Sequence, residues 1–172
     1  TVERSYFHLY GFFVGVALYN TIKKIVKDGV DIRLKWPNDL MIENGKIAGI
    51  LLESVQAPNS SRIGVIVGVG VNLNSAPNIN AGGTRRYNTE FVAKFTNYKI
   101  DQLNFFSKFR DELKELGSYV AEKDLRSILN LWKLRSYDIG TIIQISDNQG
   151  GIHTGTFLGL DKLGGLIVSD NS

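Results

Sequence analysis

Two apolar runs that meet at an Asn44-Gly45 dipeptide constrain the fold of this chain more than any other feature. Asn-Gly is typical of a two-residue hairpin turn, because both central residues of that turn adopt positive φ. The first run covers residues 39–43 and the second covers residues 46–55. The pattern predicts that these runs are paired strands within a meander. Its first strand covers residues 31–36 and continues over residues 39–43 after a break at Pro37.

Lys46 comes directly after the predicted turn, at one end of the strand pair. Ala48 and Gly49 follow it, and a glycine inside an apolar strand often marks a place where the backbone approaches a ligand. One cation beside a floor of small residues suits a flat ligand that carries a carboxylate or a phosphate. The alternative is a solvated lysine at the edge of a hairpin, and the spacing alone does not exclude it.

A second polar group lies before the first run, where Lys35, Asn38 and Asp39 flank Pro37. Proline restricts the residue before it to an extended conformation, so this loop is expected to be stiff and local. In a functional site, Lys35 would meet phosphate oxygens, while Asn38 and Asp39 would orient a nucleophile or a hydrated Mg²⁺. The alternative is an ordinary turn, since Pro-Asn-Asp is common turn chemistry.

A long apolar run, residues 63–73, contains the sequence Gly68-Val69-Gly70-Val71-Asn72. The run predicts a strand that is covered on both faces. It lacks a third glycine and does not open a helix, which disfavours a dinucleotide-binding fingerprint. Alternating glycines leave one strand face bare, either to receive a helix or to form a wall against a planar ring. Asn72 could hydrogen-bond the edge of a base.

Helical periodicity predicts a helix within residues 5–27, a second that Asp101 caps and that runs to residue 120, and a third over residues 125–132. After Gly140 the chain reads as short strands separated by frequent turns, which is typical of a small β-barrel. The expected class is α+β, with a mixed sheet flanked by helices. We place a first domain at residues 1–136 and a second at residues 137–172.

The composition excludes several classes of function. The chain has 172 residues and a formal charge of only +3, so neither a nucleic-acid partner nor a membrane partner is implied. It has no cysteine, and its two histidines lie far apart, so no fixed metal site is expected. We find neither a secretory signal nor an apolar run long enough to span a membrane, and expect a cytoplasmic location.

The run Lys35-Trp36-Pro37-Asn38-Asp39 with its hairpin, followed by the glycine strand, resembles the signatures of bacterial biotin protein ligases. The resemblance covers most of the chain. It implies the C-terminal part of a catalytic domain, of the kind shared with class II aminoacyl-tRNA synthetases, followed by an SH3-like barrel. It also implies ATP-dependent formation of biotinyl-5′-AMP and transfer of biotin to a lysine of a biotin carboxyl carrier domain, with Mg²⁺ as cofactor.

The resemblance further implies roles for individual residues. Lys46 and Asp39 would be catalytic, with Lys46 contacting the biotin carboxylate and the α-phosphate. Lys35 and Asn38 would lie at the phosphates and Mg²⁺. The residues that would frame biotin and adenylate, in addition to Lys46, are Gly49, Leu51, Gly68 and Asn72.

The expected Gly-Arg loop and Ser-Thr-Asn segment of the family do not occur in this sequence. We therefore expect a catalytic domain that is incomplete at its N-terminus and that binds biotin weakly on its own. The sequence also stops at Ser172, short of the last strand that the barrel would need, so we expect a truncated barrel. No DNA-binding winged helix is present, and a homodimer is compatible with the resemblance. Two other readings remain open: a lipoate–protein ligase, and a non-catalytic remnant that binds biotin or a carrier domain.

Overall fold

The computed structural model describes residues 2–3, 6–56, 62–77, 88–121, 125–146 and 151–170. Its larger sheet contains five strands: β1 (Val2–Glu3), β2 (Ile32–Lys35), β3 (Asp39–Ile42), β4 (Gly45–Gln56) and β5 (Arg62–Val71). Their order across the sheet is β1-β5-β4-β3-β2. All four ladders are antiparallel, and the parallel pairings are two isolated bridges, so the expectation of a mixed sheet is wrong for these strands.

The predicted β3–β4 hairpin is present, but its turn is displaced by one residue. Glu43 and Asn44 occupy the two central positions, with φ of 45° and 69°, and Gly45 already pairs with Ile42. Both positive φ angles match the turn geometry that suits a right-twisted hairpin. Gly45 is needed for a different reason: a Cβ there would lie 2.2 Å from Cγ of Glu90, so a side chain would collide with the adjacent segment.

The chain also reverses at Pro37, where we expected the first strand to continue. Lys35 pairs with Asp39, so residues 36–38 form the loop of a second hairpin between β2 and β3. The Trp36–Pro37 peptide bond is cis. This reversal brings the ends of β2 and β3 together, and it places both ends of the predicted polar loop beside the end of β4.

Three helices form a layer on one face of the sheet: α1 (Leu9–Lys23), α2 (Gln102–Ala121) and α3 (Leu125–Lys133). They confirm the three predicted helices, and the Asp101 cap is confirmed because its carboxylate accepts a hydrogen bond from the Asn104 amide at 2.7 Å. Helix α1 lies against the sheet, since added Cβ atoms at Gly11 and Gly15 would contact Leu52 and Leu34. A short 3₁₀ turn, Val92–Phe95, was not predicted.

A second, three-stranded antiparallel sheet follows α3. It contains β6 (Ile142–Ser146), β7 (Ile152–Leu160) and β8 (Leu166–Asp170), in that order. These strands confirm the predicted β-rich C-terminal segment. The sheet is open over the described residues, so the SH3-like barrel and the boundary at residue 137 stay predictions. Buried Phe157 and Leu160 of β7 belong to the same hydrophobic core as Phe12 and Trp132.

The face of the larger sheet opposite α1 is not covered along β5. Ile66 is exposed, and so are Gly68 and Gly70. The expectation that this strand is covered on both faces is therefore wrong for the described part of the chain. No helix among the described residues is long and apolar enough to cross a membrane.

Candidate functional site

A cavity of about 1160 Å³ opens between the uncovered face of the larger sheet and the C-terminal sheet. One side is built by the β2–β3 loop and by the first residues of β4. The opposite side comes from the end of α3, the segment that follows it, and the three C-terminal strands. Six of the predicted site residues line this cavity: Lys35, Asn38, Asp39, Lys46, Gly49 and Asn72.

Lys46 and Asp39 form an ion pair inside the cavity, with Nζ of Lys46 at 2.5 Å from Oδ1 of Asp39. The lysine side chain is 32% exposed and the aspartate 7% exposed, so the lysine is not a fully solvated edge residue. The ladder explains how they meet. Leu40 pairs with Ala48 but Met41 pairs with Lys46, which leaves Ile47 as an extra residue on β4. Such bulges re-aim neighbouring side chains.

The floor beneath this ion pair consists of glycine backbone. Asp39 pairs with Gly49 on β4, and Gly49 pairs with Gly70 on β5, so the three residues form one row across the sheet. A Cβ added to Gly49 would lie 3.2 Å from Nζ of Lys46 and 3.7 Å from Oδ1 of Asp39. The lysine head therefore rests directly over the Gly49 backbone, which leaves room for a flat group beside it.

Asn38 is held by two hydrogen bonds to Ile50. Its side-chain Nδ2 donates to the Ile50 backbone carbonyl at 2.6 Å, and its backbone carbonyl accepts from the Ile50 backbone amide at 2.9 Å. The loop that carries Asn38 and Asp39 is thus fixed to β4 next to the ion pair. Asn38 positions the loop as well as lining the cavity.

Asn72 joins the end of β5 to the segment that precedes the 3₁₀ turn. Its Nδ2 donates to the Glu90 carbonyl at 3.0 Å and lies 3.5 Å from the Lys46 carbonyl. Its backbone amide donates to the Ile47 carbonyl at 2.8 Å. Because the Nδ2 hydrogens point at these two carbonyls, the side-chain oxygen of Asn72 is the atom that would accept a hydrogen bond from a ligand.

Leu51 and Gly68 do not line the cavity. They pair with each other across β4 and β5, two residues beyond the row that contains Gly49 and Gly70. Alternation along a strand places them on the same sheet face as that row. Leu51 is 59% exposed there. The two residues continue the same sheet face beyond the lining of the cavity, and their assignment as biotin-framing residues stays a prediction.

Sequence reasoning missed the side of the cavity that the C-terminal half contributes. Its lining residues include Trp132, Ser136, Tyr137, Ile143, Gln144 and Phe157. Burial raises the pKa of Tyr137, and the nearby Asp31 carboxylate adds to the rise, so its phenol stays neutral. Little in the sequence could have located these residues, because the two sides of the cavity meet only through tertiary packing. The aromatic side chain of Trp132 indicated a core position but gave no sign of a role in the cavity.

No group of three or more His, Cys, Asp or Glu side chains converges anywhere in the described part of the chain. Asp39 offers one carboxylate. That number fits a Mg²⁺ ion that arrives with phosphate groups, because Mg²⁺ keeps several waters and uses one or two carboxylates together with substrate oxygens.

The fold and the cavity define an α+β domain whose cavity holds the Lys46–Asp39 ion pair over a glycine floor. Residues 1–72 match the model of the Biotin/lipoate A/B protein ligase family. A biotin–[acetyl-CoA-carboxylase] ligase of Paracoccus denitrificans is 29% identical over 157 residues, which cover 91% of this chain and 65% of the relative. The bifunctional ligase/repressor BirA of Escherichia coli is 33% identical over 92% of this chain and 47% of its own length.

Solved structures agree in fold. The apo biotin protein ligase of Aquifex aeolicus superposes with a TM-score of 0.74 at 19% identity, over 98% of this chain and 71% of the other. The same enzyme in complex with biotin and ATP gives a TM-score of 0.73 at 20% identity, over 95% of this chain and 65% of the other. Over most of its length the chain is therefore similar to biotin protein ligases in sequence, and it shares their fold. It spans about two thirds of the Paracoccus relative and about half of the Escherichia relative.

Proposed function

We propose that this chain carries the acyl-adenylate site of an ATP-dependent biotin–protein ligase. The site would bind biotin and ATP, form biotinyl-5′-AMP, and transfer the biotinyl group to a lysine of a biotin carboxyl carrier domain. The observation that carries the proposal is the Lys46 ammonium, held 2.5 Å from Asp39 over the Gly49 backbone within a cavity large enough for both substrates.

The geometry suits the first step of that reaction. A carboxylate oxygen of biotin attacks the α-phosphorus of ATP, the new P–O bond forms, and the bond to pyrophosphate breaks. Both reactants are anionic, so a fixed cation between them lowers the cost of their approach and of charge developing on the phosphate. Lys46 supplies this cation over the glycine floor. Lys35 lines the same cavity, at the loop where the phosphates would enter.

The second step needs an amine nucleophile and no covalent enzyme intermediate. The carrier lysine attacks the acyl carbon of the mixed anhydride, and AMP leaves with the electrons of the broken C–O bond. Asp39 is the carboxylate nearest to this position and would hold the incoming ammonium and receive its proton. Asn72, at the far end of the floor, would offer its amide oxygen to the amino group of adenine. Mg²⁺, brought in with ATP, would add charge neutralisation beside Asn38 and Asp39.

Exchange of radiolabelled pyrophosphate into ATP tests the proposal, because it reports the reversible first step. Purified protein should catalyse exchange that requires biotin and does not proceed with lipoate. Exchange with lipoate alone would establish the lipoate ligase alternative. Biotin binding by calorimetry without any exchange would establish the non-catalytic remnant. Labelling of a carrier domain on its lysine then tests the second step.

Substitution of Gly49 by alanine tests the glycine floor. The added methyl would meet Lys46 Nζ and Cε at 3.2 and 3.3 Å, which is tight enough to displace the lysine head by a few tenths of an ångström. We expect biotin-dependent exchange to fall by about tenfold while the fold is retained, because small displacements of a catalytic group are costly. Gly117→Ala is the matched control, since an added Cβ there meets nothing within 4 Å. Equal activity of the two variants would contradict the role of the floor.

A further inference from the structure

Trp36 links the cavity loop to the C-terminal sheet. Its indole Nε1 donates a hydrogen bond to the carbonyl oxygen of Gly164 at 3.0 Å, across 128 residues of sequence. Trp36 stands at the start of the β2–β3 loop, two residues before Asn38 and three before Asp39. Gly164 belongs to the turn between β7 and β8, here called the clasp turn and defined as residues 161–165.

The clasp turn is built from one carboxylate and its neighbouring backbone. Asp161 Oδ1 accepts hydrogen bonds from the amides of Leu163 and Gly165, both at 2.8 Å. The Asp161 amide donates to the Gly165 carbonyl at 2.9 Å, and the Gly164 amide donates to the Asp161 carbonyl at 3.2 Å. Gly164 itself adopts φ of 83°, a region that favours glycine. These bonds fix the direction in which the Gly164 carbonyl points.

The clasp turn also contacts residues at the N-terminal end of α1. His8, just before α1, hydrogen-bonds the Leu163 carbonyl through Nε2. The ring of Phe12 packs against Gly164 so closely that an added Cβ would lie 2.5 Å from its Cε2 atom. The turn therefore rests on residues at the N-terminal end of α1 and is joined to the cavity loop by the Trp36 indole.

We propose that Trp36 is a positioning residue, through which the clasp turn of the C-terminal sheet sets the placement of Asn38 and Asp39 in the cavity. The catalytic consequence of this inference rests on the proposed function, while the coupling itself does not. The C-terminal sheet then has two roles at the site: its strands form one side of the cavity, and its clasp turn holds the opposite loop. Loss of the indole donor or of the clasp turn should have the same effect on the loop.

Four variants separate this coupling from simple packing. Trp36→Phe keeps an aromatic ring and removes the donor. Asp161→Ala removes the acceptor that shapes the clasp turn, whereas Asp161→Asn retains an acceptor oxygen and should rescue it. Lys162→Ala is the matched control, because Lys162 is an exposed residue of the same turn. Because the Asp161 side chain is exposed, its variants keep the test open if Trp36→Phe fails to fold.

Nuclear magnetic resonance of protein with ¹⁵N-labelled tryptophan and backbone gives a readout that does not need activity. The chain has two tryptophans, so loss of one indole signal in Trp36→Phe assigns the other. We expect hydrogen exchange of the Trp36 indole to accelerate at least tenfold in Asp161→Ala and to stay within twofold in Asp161→Asn and Lys162→Ala. The amide signals of Asn38 and Asp39 should shift in Trp36→Phe and in Asp161→Ala.

The catalytic consequence is read from pyrophosphate exchange. We expect kcat to fall about tenfold in Trp36→Phe and Asp161→Ala, with KM for biotin within twofold and with recovery in Asp161→Asn. Unchanged indole exchange in Asp161→Ala, or unchanged Asn38 and Asp39 signals in Trp36→Phe, would overturn the coupling. Wild-type kcat in Trp36→Phe would overturn its positioning role. A wild-type protein without exchange activity would instead contradict the proposed function, and the indole and amide signals would still decide the coupling.

Discussion

Replacement of Lys46 by alanine is expected to reduce biotin-dependent exchange of pyrophosphate into ATP by a factor of about 10² to 10³ or more. The ammonium stands over the glycine floor, 2.5 Å from a largely buried carboxylate. Its removal takes away the cation that offsets two approaching anions, and it leaves Asp39 in the cavity to repel them. Losses of that size are typical when one preorganised electrostatic contact is deleted from an active site.

The experiment should distinguish a loss of catalysis from a loss of folded protein. Lys108→Ala is the matched control, since it removes the same charge from an exposed position of α2. Both variants should remain folded under assay conditions, and Lys46→Ala should unfold at a lower denaturant concentration than the control, because it removes the ion pair of the largely buried Asp39 carboxylate. Near-normal exchange by Lys46→Ala would refute the central role of this lysine, whatever the behaviour of the control.

Much of the fold follows from local patterns. Two apolar runs and a dipeptide with turn chemistry predicted the β3–β4 hairpin, and helical periodicity predicted α1 to α3. The errors came from tertiary contacts. The turn lies at Glu43 and Asn44, because Gly45 is held tightly against Glu90. The reversal at Pro37 was missed because a proline break is compatible with both a bend and a hairpin, and pairing of Lys35 with Asp39 is not local information.

The site was predictable on one side only. The residues of the first side belong to two consecutive hairpins, so they lie close together in the sequence: Lys35, Asn38, Asp39 and Lys46. Even there, the sequence could not show that an extra residue on β4 brings Lys46 onto Asp39. The opposite side depends on how the C-terminal sheet docks, about a hundred residues later in the chain. No spacing rule relates Trp36 to Gly164 or places Phe157 in the same cavity as Asp39, because such arrangements are set by the packing of whole layers.

Replacement of Trp132 by alanine is expected to destabilise the protein by about 3–5 kcal/mol, the usual cost of truncating a large buried aromatic side chain. Trp132 is 3% exposed and belongs to the hydrophobic core cluster. Its ring meets Phe12 edge to face, with centroids 5.2 Å apart and planes at 90°. It also lines the cavity, so the loss would loosen the contact between α1 and the C-terminal half.

Chemical denaturation followed by circular dichroism gives the change in unfolding free energy directly. Leu134→Ala is the control, because Leu134 lies two residues further along the chain and is 79% exposed. Exposed positions of this kind change stability by less than about 0.5 kcal/mol. Trp132→Phe should lie between the two, since it keeps an aromatic ring against Phe12. If Trp132→Ala were as stable as Leu134→Ala, the indole could not be part of the packed core, and the docking of the C-terminal sheet that closes the cavity would have to differ from the one described.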